Sequence, residues 1–362
     1  MASVTSADGP VAVTGASGYV GAQVVIALMK RGYTVNACVR EANNPDKIDH
    51  LLALNKEGHP GKLALFSANL LDQGSYDLPF AGCSAVFHVG SAMGYGNLND
   101  PQQVYDGAID GTKNILGSVK KTATVKRVIY TSSFAGIGHP APQGYVFTEE
   151  DWGSDNREND PDWGPENIGK VHETSYAMAK VDTERLAHRI AEEDGRFDVI
   201  SACPNIVLGP LLSKAHELKQ SWQYHVGRML RGRLCWRGYG GLWNIVDVRD
   251  VGEAQALMIE SDVCANGSRY HLGATDDSGI IDVFQLQAKL LELFPGVDVA
   301  GPPDEINAIL EKNNGKVNDS PRGFCDKARK ELGLQTHAID DTLYETGKTM
   351  IDLDLVEPAL KS

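Results

Sequence analysis

The N-terminal half of the chain alternates between short, unbroken apolar runs and longer segments whose apolar residues return every three or four positions. Val11-Ala12-Val13-Thr14 lacks a polar face, which predicts a strand buried on both sides. Tyr19 to Lys30 carries the helical period and stops at Arg31-Gly32, a C-cap signal. Tyr33 to Val39 reads as the next strand. Further strand-like runs follow at Leu63–Phe66, Ala85–Val89, Arg127–Tyr130 and Asp198–Ala202. Helical stretches, including Gln103–Lys120 and Tyr176–Glu193, lie between them. This alternation predicts an α/β protein with a doubly wound parallel sheet of the Rossmann kind.

After Pro204 the pattern loosens. Leu211–Trp243 and the stretch from Asp282 onward read as mostly helical, with strands at Trp243–Val248 and Ser268–Leu272. The expected division is a dinucleotide-binding Rossmann domain over 1–204 plus about 243–272, and a smaller substrate lobe from about 205–242 and 273–362. Clefts between such units are common ligand sites. Glu149 to Glu166 holds eight acidic residues, one arginine and two tryptophans. It reads as a long surface loop, either simply solvated or closing over a site.

Composition narrows the setting. The 362 residues are 42% hydrophobic and 23% charged, as in soluble globular proteins. A formal charge of −14 disfavours nucleic acid and anionic membrane as partners, but not an anionic cofactor held by local groups. The six cysteines form no C-x-x-C unit and sit largely in apolar runs, as buried thiols of a reducing compartment do. Met1–Pro10 does not read as a secretory leader, and no run of 18 apolar residues occurs. The expectation is a cytoplasmic protein with no membrane contact.

The chemistry begins at Thr14-Gly15-Ala16-Ser17-Gly18-Tyr19-Val20-Gly21. Placed after a buried strand and before a helix, this turn lets backbone approach a pyrophosphate, with the helix N-terminus supplying free N–H groups. Gly15, Gly18 and Gly21 shape it, and Ser17, Tyr19 and Val20 are the cofactor-facing residues between them. An NAD site would carry an acidic residue at the end of the second strand. Arg40 stands there instead, suited to a 2′-phosphate and so to NADP(H), with Asn43 and Asn44 as further donors. About 160 residues after the turn, Tyr176 and Lys180 share one face of a helix. A lysine cation beside a phenol favours the phenolate, so this tyrosine is fitted to exchange a proton with a carbonyl oxygen. Tyr130-Thr131-Ser132-Ser133-Phe134 offers a hydroxyl for the same oxygen. No His/Asp/Glu cluster has metal spacing, so no metal is expected, and His88, inside a strand, reads as a packed histidine.

Turn, serine and Tyr-x-x-x-Lys together resemble the extended short-chain dehydrogenases/reductases, in the branch of dihydroflavonol reductases, cinnamoyl-CoA reductases and microbial aldehyde and ketone reductases. The resemblance runs from about Val11 to Glu260. It implies Ser133, the second serine after Thr131, as the residue that hydrogen-bonds the substrate oxygen, with Ser132 competing. It implies Tyr176 as proton donor and Lys180 as its partner and a ligand of the nicotinamide ribose. Lys47 becomes a second phosphate ligand. Asn69-Leu70 stands where the family has Asp-Leu at the adenine. Val89-Gly90-Ser91 passes under the cofactor ribose, and the turn Pro204-Asn205-Ile206-Val207 reaches the nicotinamide carboxamide. Asn114 is either a support for a relay water or a helix residue bonding nearby backbone.

Substrate-facing positions are then Met93 and Tyr95 after the fourth strand, Ser133, Phe134, Ile137 and His139 after the fifth, and Leu211, Trp222 and Tyr224 from the lobe. They describe an apolar, aromatic-friendly pocket. Dihydroflavonol reductases carry an asparagine five residues after the serine, where this chain has Gly138. That departure points away from a flavonoid. Arg228, Arg231, Arg233 and Arg237 either meet an anionic substrate or form a solvated helix face. The resulting expectation is an NADPH-dependent carbonyl reductase acting on a small-molecule carbonyl, monomeric or homodimeric. The alternatives are an enzyme on a nucleotide sugar, sterol or CoA thioester, and a non-catalytic NADP-binding sensor.

Overall fold

The computed structural model describes residues 3–91, 100–156, 160, 162–218, 221–233, 242–300 and 322–361. Its centre is a seven-stranded, all-parallel sheet built from β1 (Val11–Thr14), β2 (Thr34–Val39), β3 (Lys62–Ser67), β4 (Ala85–His88), β5 (Arg127–Thr131), β6 (Asp198–Pro204) and β9 (Arg269–Leu272). The order is β3-β2-β1-β4-β5-β6-β9, so the chain reverses direction across the sheet between β1 and β4. Ligands of open α/β sheets bind at this switch point.

Burial follows the period of two. Val11, Val13, Ala85, Phe87 and Ile129 face one side, under α1 (Tyr19–Lys30), α2 (Pro45–Leu54) and α7 (Val248–Glu260). Ala12, Val86, Val128 and Val199 face the other, under α3 (Asp77–Phe80), α4 (Pro101–Lys121) and α5 (His172–Asp194). With both faces covered, the strands need no polar side, which is why they read as continuous apolar runs. At the far end of β5, the fully buried Arg127 pairs with Asp198 Oδ2 at 3.0 Å and donates to the carbonyls of Met258, Ile259, Ser261 and Cys264.

A second unit has its own core. β7 (Ile206–Leu208), β8 (Trp243–Asp247) and β10 (Ile280–Ile281) make a small sheet of order β10-β8-β7. Trp243, Ile245, Leu208 and Ile281 pack there with α6 (Trp222–Leu230), α8 (Val283–Leu293) and α10 (Ile339–Asp352). α9 (Asp326–Leu332) returns to the large sheet beside β9. β8, expected beside the cofactor strands, therefore pairs in the small sheet, because its partners are β7 in parallel and β10 in antiparallel.

The five described cysteines, 38, 83, 203, 264 and 325, are free and buried. Among the described residues no helix is long and apolar enough to cross a membrane.

Candidate active site

The glycine turn sits at the switch point. Gly15 has φ of +63°, and a Cβ there would stand 2.6 Å from Gly90 Cα. Backbone after β1 thus touches backbone after β4, and Thr14 Oγ1 accepts from the N–H groups of Val89 (3.2 Å) and Gly90 (3.1 Å). Gly18 N donates to Gly15 O at 2.9 Å and closes the turn. Gly18 is the N-cap of α1 and supplies no side-chain acceptor, so the first-turn N–H groups face outward uncapped. This cradle of backbone donors, without a side-chain cap, fits a pyrophosphate. Arg40 and Lys47 lie exposed beyond it, at the end of β2 and in the first turn of α2. Asn69 is exposed too, its Oδ1 accepting from Leu71 N at 3.3 Å.

The groove continues between α4, α5 and the strand ends, lined by Leu70, Gly90, Ser91, Thr131, Tyr176 and Lys180 among others. Lys180 is buried, and its Nζ donates to Thr131 O at 3.2 Å and lies 5.9 Å from the centre of the Tyr176 ring. The two serines separate by their partners. Ser132 is buried and donates to Glu184 Oε2 at 2.6 Å, whereas Ser133 is half-buried and caps the short turn Phe134–Gly136, accepting from Ala135 N at 3.2 Å. His88 lines the same groove but is held by Thr14 Oγ1 at 3.3 Å and packs edge-on to Tyr130. Burial pushes it down to about 3, with the Lys180 cation adding to the effect, so it is a neutral packed residue as the sequence suggests.

Two bonds tie the turn to the second unit. Tyr19 Oη donates to Gly209 O at 2.9 Å. Leu212 N donates to His216 Nδ1, which leaves Nε2 as the donor to Ser17 O at 3.2 Å. Burial first, then the neighbouring His50, lowers His216 to about 3, consistent with that neutral tautomer. Val20 packs on the core of the large sheet. Pro204 ends β6, Asn205 N donates to Leu272 O at 2.8 Å, and Val207 is half-buried with its carbonyl bonded by Gln223.

Of the substrate positions, Phe134 is half-buried and edge-on to Phe147. A Cβ on Gly138 would stand 2.6 Å from the Phe134 ring, so that ring fills the place of a side chain at 138. Ile137 is fully buried with Phe147 and Cys203, and Leu211 is buried in the core of the small sheet, so both are packed wall residues rather than open lining. His139 is likewise buried and held by Asp151 and Pro140. Trp222 and Tyr224 are half-buried, Trp222 edge-on to Trp243. Met93, Tyr95 and Arg237 lie outside the described residues. The Asn114 amide accepts from Gly74 N and donates to Leu70 O and Asp72 O, which ties α4 to the loop after β3. Arg231 is bound by Glu217 and Leu355 O rather than offered to a ligand.

Sequence reasoning misses one element, the buried pair of Glu184 and Arg269, 2.6 Å apart beneath the Ser133 turn. The acidic loop is docked by the same arginine, which donates to Glu149 O (2.7 Å) and Asp151 O (2.6 Å). The only prior signal is Arg269 itself, a charged residue opening an apolar run.

The model of the NAD dependent epimerase/dehydratase family matches residues 11–273. A cinnamoyl-CoA reductase from Medicago truncatula is 33% identical over 80% of this chain and 82% of its own length. A dihydroflavonol 4-reductase from Hordeum vulgare is 34% identical over 57% of this chain and 55% of its own. Among solved structures, Gre2 from Candida albicans in complex with NADPH superposes with a TM-score of 0.76, at 21% identity, over 95% of this chain and 99% of that one, a likeness of fold. By the family model and the Medicago relative, this chain belongs to the NAD dependent epimerase/dehydratase family, in the extended short-chain dehydrogenase/reductase branch of the dihydroflavonol and cinnamoyl-CoA reductases.

Proposed function

We propose that this chain is an NADPH-dependent carbonyl reductase that converts an aromatic or bulky aldehyde or ketone to its alcohol. The observation that carries the reading is one groove lined by Gly90, whose backbone meets Gly15 of the glycine turn, and by Tyr176 and the buried Lys180. Bound NADPH supplies the hydride. Tyr176 gives the carbonyl oxygen its proton, and the Lys180 ammonium stabilises the charge left on the phenol. Ser133, whose neighbour Ser132 is committed to Glu184, hydrogen-bonds the same oxygen as charge develops. Gly15, Gly18 and Gly21 with Ser17, Tyr19 and Val20 hold the pyrophosphate. Arg40 and Lys47 pair with the 2′-phosphate, Asn69 and Leu70 meet the adenine, and Val89–Ser91 and Pro204–Val207 border the ribose and carboxamide.

The Phe134 ring over Gly138 supports a carbonyl without the flavonoid's polar ring substituents, since no amide can reach from that position. The test is loss of reduced-nicotinamide absorbance with benzaldehyde, phenylglyoxal, acetophenone and a dihydroflavonol, with Tyr176→Phe alongside. Turnover that vanishes in Tyr176→Phe while NADPH still binds is the expected result. NADPH binding without turnover of any of these carbonyls, or NAD retained through purification, would overturn it.

A further inference from the structure

Beneath the Ser133 turn lies a charge pair that the reaction as described leaves unused. Glu184 is fully buried, one turn beyond Lys180 on α5. Its Oε1 accepts from Arg269 Nε at 2.6 Å and its Oε2 from Ser132 Oγ at 2.6 Å. Arg269 Nη2 also reaches Glu184 Oε2 at 3.5 Å, the other donors go to Gly136 O (3.0 Å), Glu149 O (2.7 Å) and Asp151 O (2.6 Å), and the guanidinium lies 3.8 Å from the centre of the Trp152 ring. Gly136 closes the short turn that Ser133 caps, and a Cβ there would stand 3.0 Å from Ser132 Oγ and 3.1 Å from Glu184 Oε2. The turn therefore rests directly on the pair.

Three segments converge on these two side chains: the helix with Tyr176 and Lys180, the turn with Ser133, and the docked start of the acidic loop. Buried ion pairs seldom beat well-packed apolar residues for stability, because desolvation offsets the attraction. What the fork geometry of a guanidinium adds is fixed relative placement. We infer that Glu184 and Arg269 are positioning residues that set the Ser133 hydroxyl and the Tyr176 phenol on one substrate oxygen. The inference rests on the reductase reading above. A misplacement of about 1 Å in such a pair of donors is worth about 100-fold in rate.

The experiment uses the full chain with NADPH and whichever of the four named carbonyls is reduced fastest. Glu184→Gln, Arg269→Lys, Ser132→Ala and the Glu184→Gln/Ser132→Ala double variant are compared for kcat, NADPH dissociation constant and urea midpoint. Glu184→Gln and Arg269→Lys are expected to lower kcat about 10- to 100-fold, and Ser132→Ala several-fold, with NADPH affinity held within about twofold. The double variant is expected to be no slower than Glu184→Gln, since both changes release the same turn. Wild-type kcat in Glu184→Gln and Ser132→Ala would overturn the inference. So would losses of kcat that track equal losses of NADPH affinity and urea midpoint, which a merely structural pair would give. If Glu184→Gln does not fold, Ser132→Ala, which removes one hydroxyl, decides alone. A wild-type chain that binds NADPH and reduces none of the carbonyls overturns the reductase reading and this inference with it.

Discussion

Gly21 and Gly117 both lie inside helices, and replacing each by alanine is expected to have opposite effects. Helix propensity alone favours alanine at either position by about 1 kcal/mol. At Gly117 on α4 nothing lies within 4 Å of the new Cβ, so that gain is expected nearly in full. At Gly21 the Cβ would stand 2.2 Å from Gly15 O, 2.9 Å from Gly15 C and 3.0 Å from Ala16 Cα. An ordinary carbon–oxygen contact is about 3.3 Å, so the overlap is about 1 Å. All three neighbours are backbone, so no side chain can rotate away. The helix must move off the turn, at the upper end of the about 1–3 kcal/mol that overpacking costs. The net expectation for Gly21→Ala is a loss of about 2 kcal/mol, against a gain of up to about 1 kcal/mol for Gly117→Ala. Separating the helix N-terminus from the turn is also expected to weaken NADPH binding at least about 10-fold. Urea unfolding and NADPH fluorescence titration on the two variants read both quantities. A Gly21→Ala protein as stable as Gly117→Ala, binding NADPH normally, would refute the steric argument.

Arg40→Ala is expected to cut the preference for NADPH over NADH by about 10- to 100-fold, the share of one charge-assisted contact, read from the ratio of kcat/KM values. Arg127→Ala leaves Asp198 buried without its guanidinium and strips donors from four carbonyls, so a loss of about 3–5 kcal/mol is expected in urea unfolding. A loss below about 1 kcal/mol would contradict that account. Burial holds His88 and His216 at about 3 and His271 at about 4, all below the ordinary 6.5. The folded state refuses protons that the unfolded chain accepts. Stability from this source is therefore intact above about pH 6.5 and falls toward pH 4 by up to about 1.4 kcal/mol per pH unit for each histidine. His216→Gln should make that decline shallower, and an unchanged slope would show that His216 takes no part.

The parts of the fold visible in the sequence are those governed by local pattern. Tyr19–Lys30 has the bounds that its period and C-cap predict, and each strand of the large sheet up to β6 lies within a few residues of its apolar run. β8 misleads because five consecutive buried residues look the same in either sheet. Its place depends on pairing with β7, a non-local choice. Ile137 follows Ser133 closely but points into the cluster of Phe147 and Cys203, since chain proximity does not say which side of a turn a residue faces. The amide of Asn114 meets carbonyls that come from the loop after β3, a contact that its own helix does not announce. The Glu184–Arg269 pair spans 85 residues, and neither partner carries a local mark of the other.

The bonds from Tyr19 to Gly209 and from His216 to Ser17 bear on how such enzymes can be recombined. A chimera that grafts another relative's substrate unit onto this nucleotide half would cut between residues that share those bonds. The graft boundary has to treat the glycine turn and the segment 209–216 as one inherited module. A donor lacking the histidine would arrive without the His216 bond to the Ser17 carbonyl, and the recipient's turn would need a matching change.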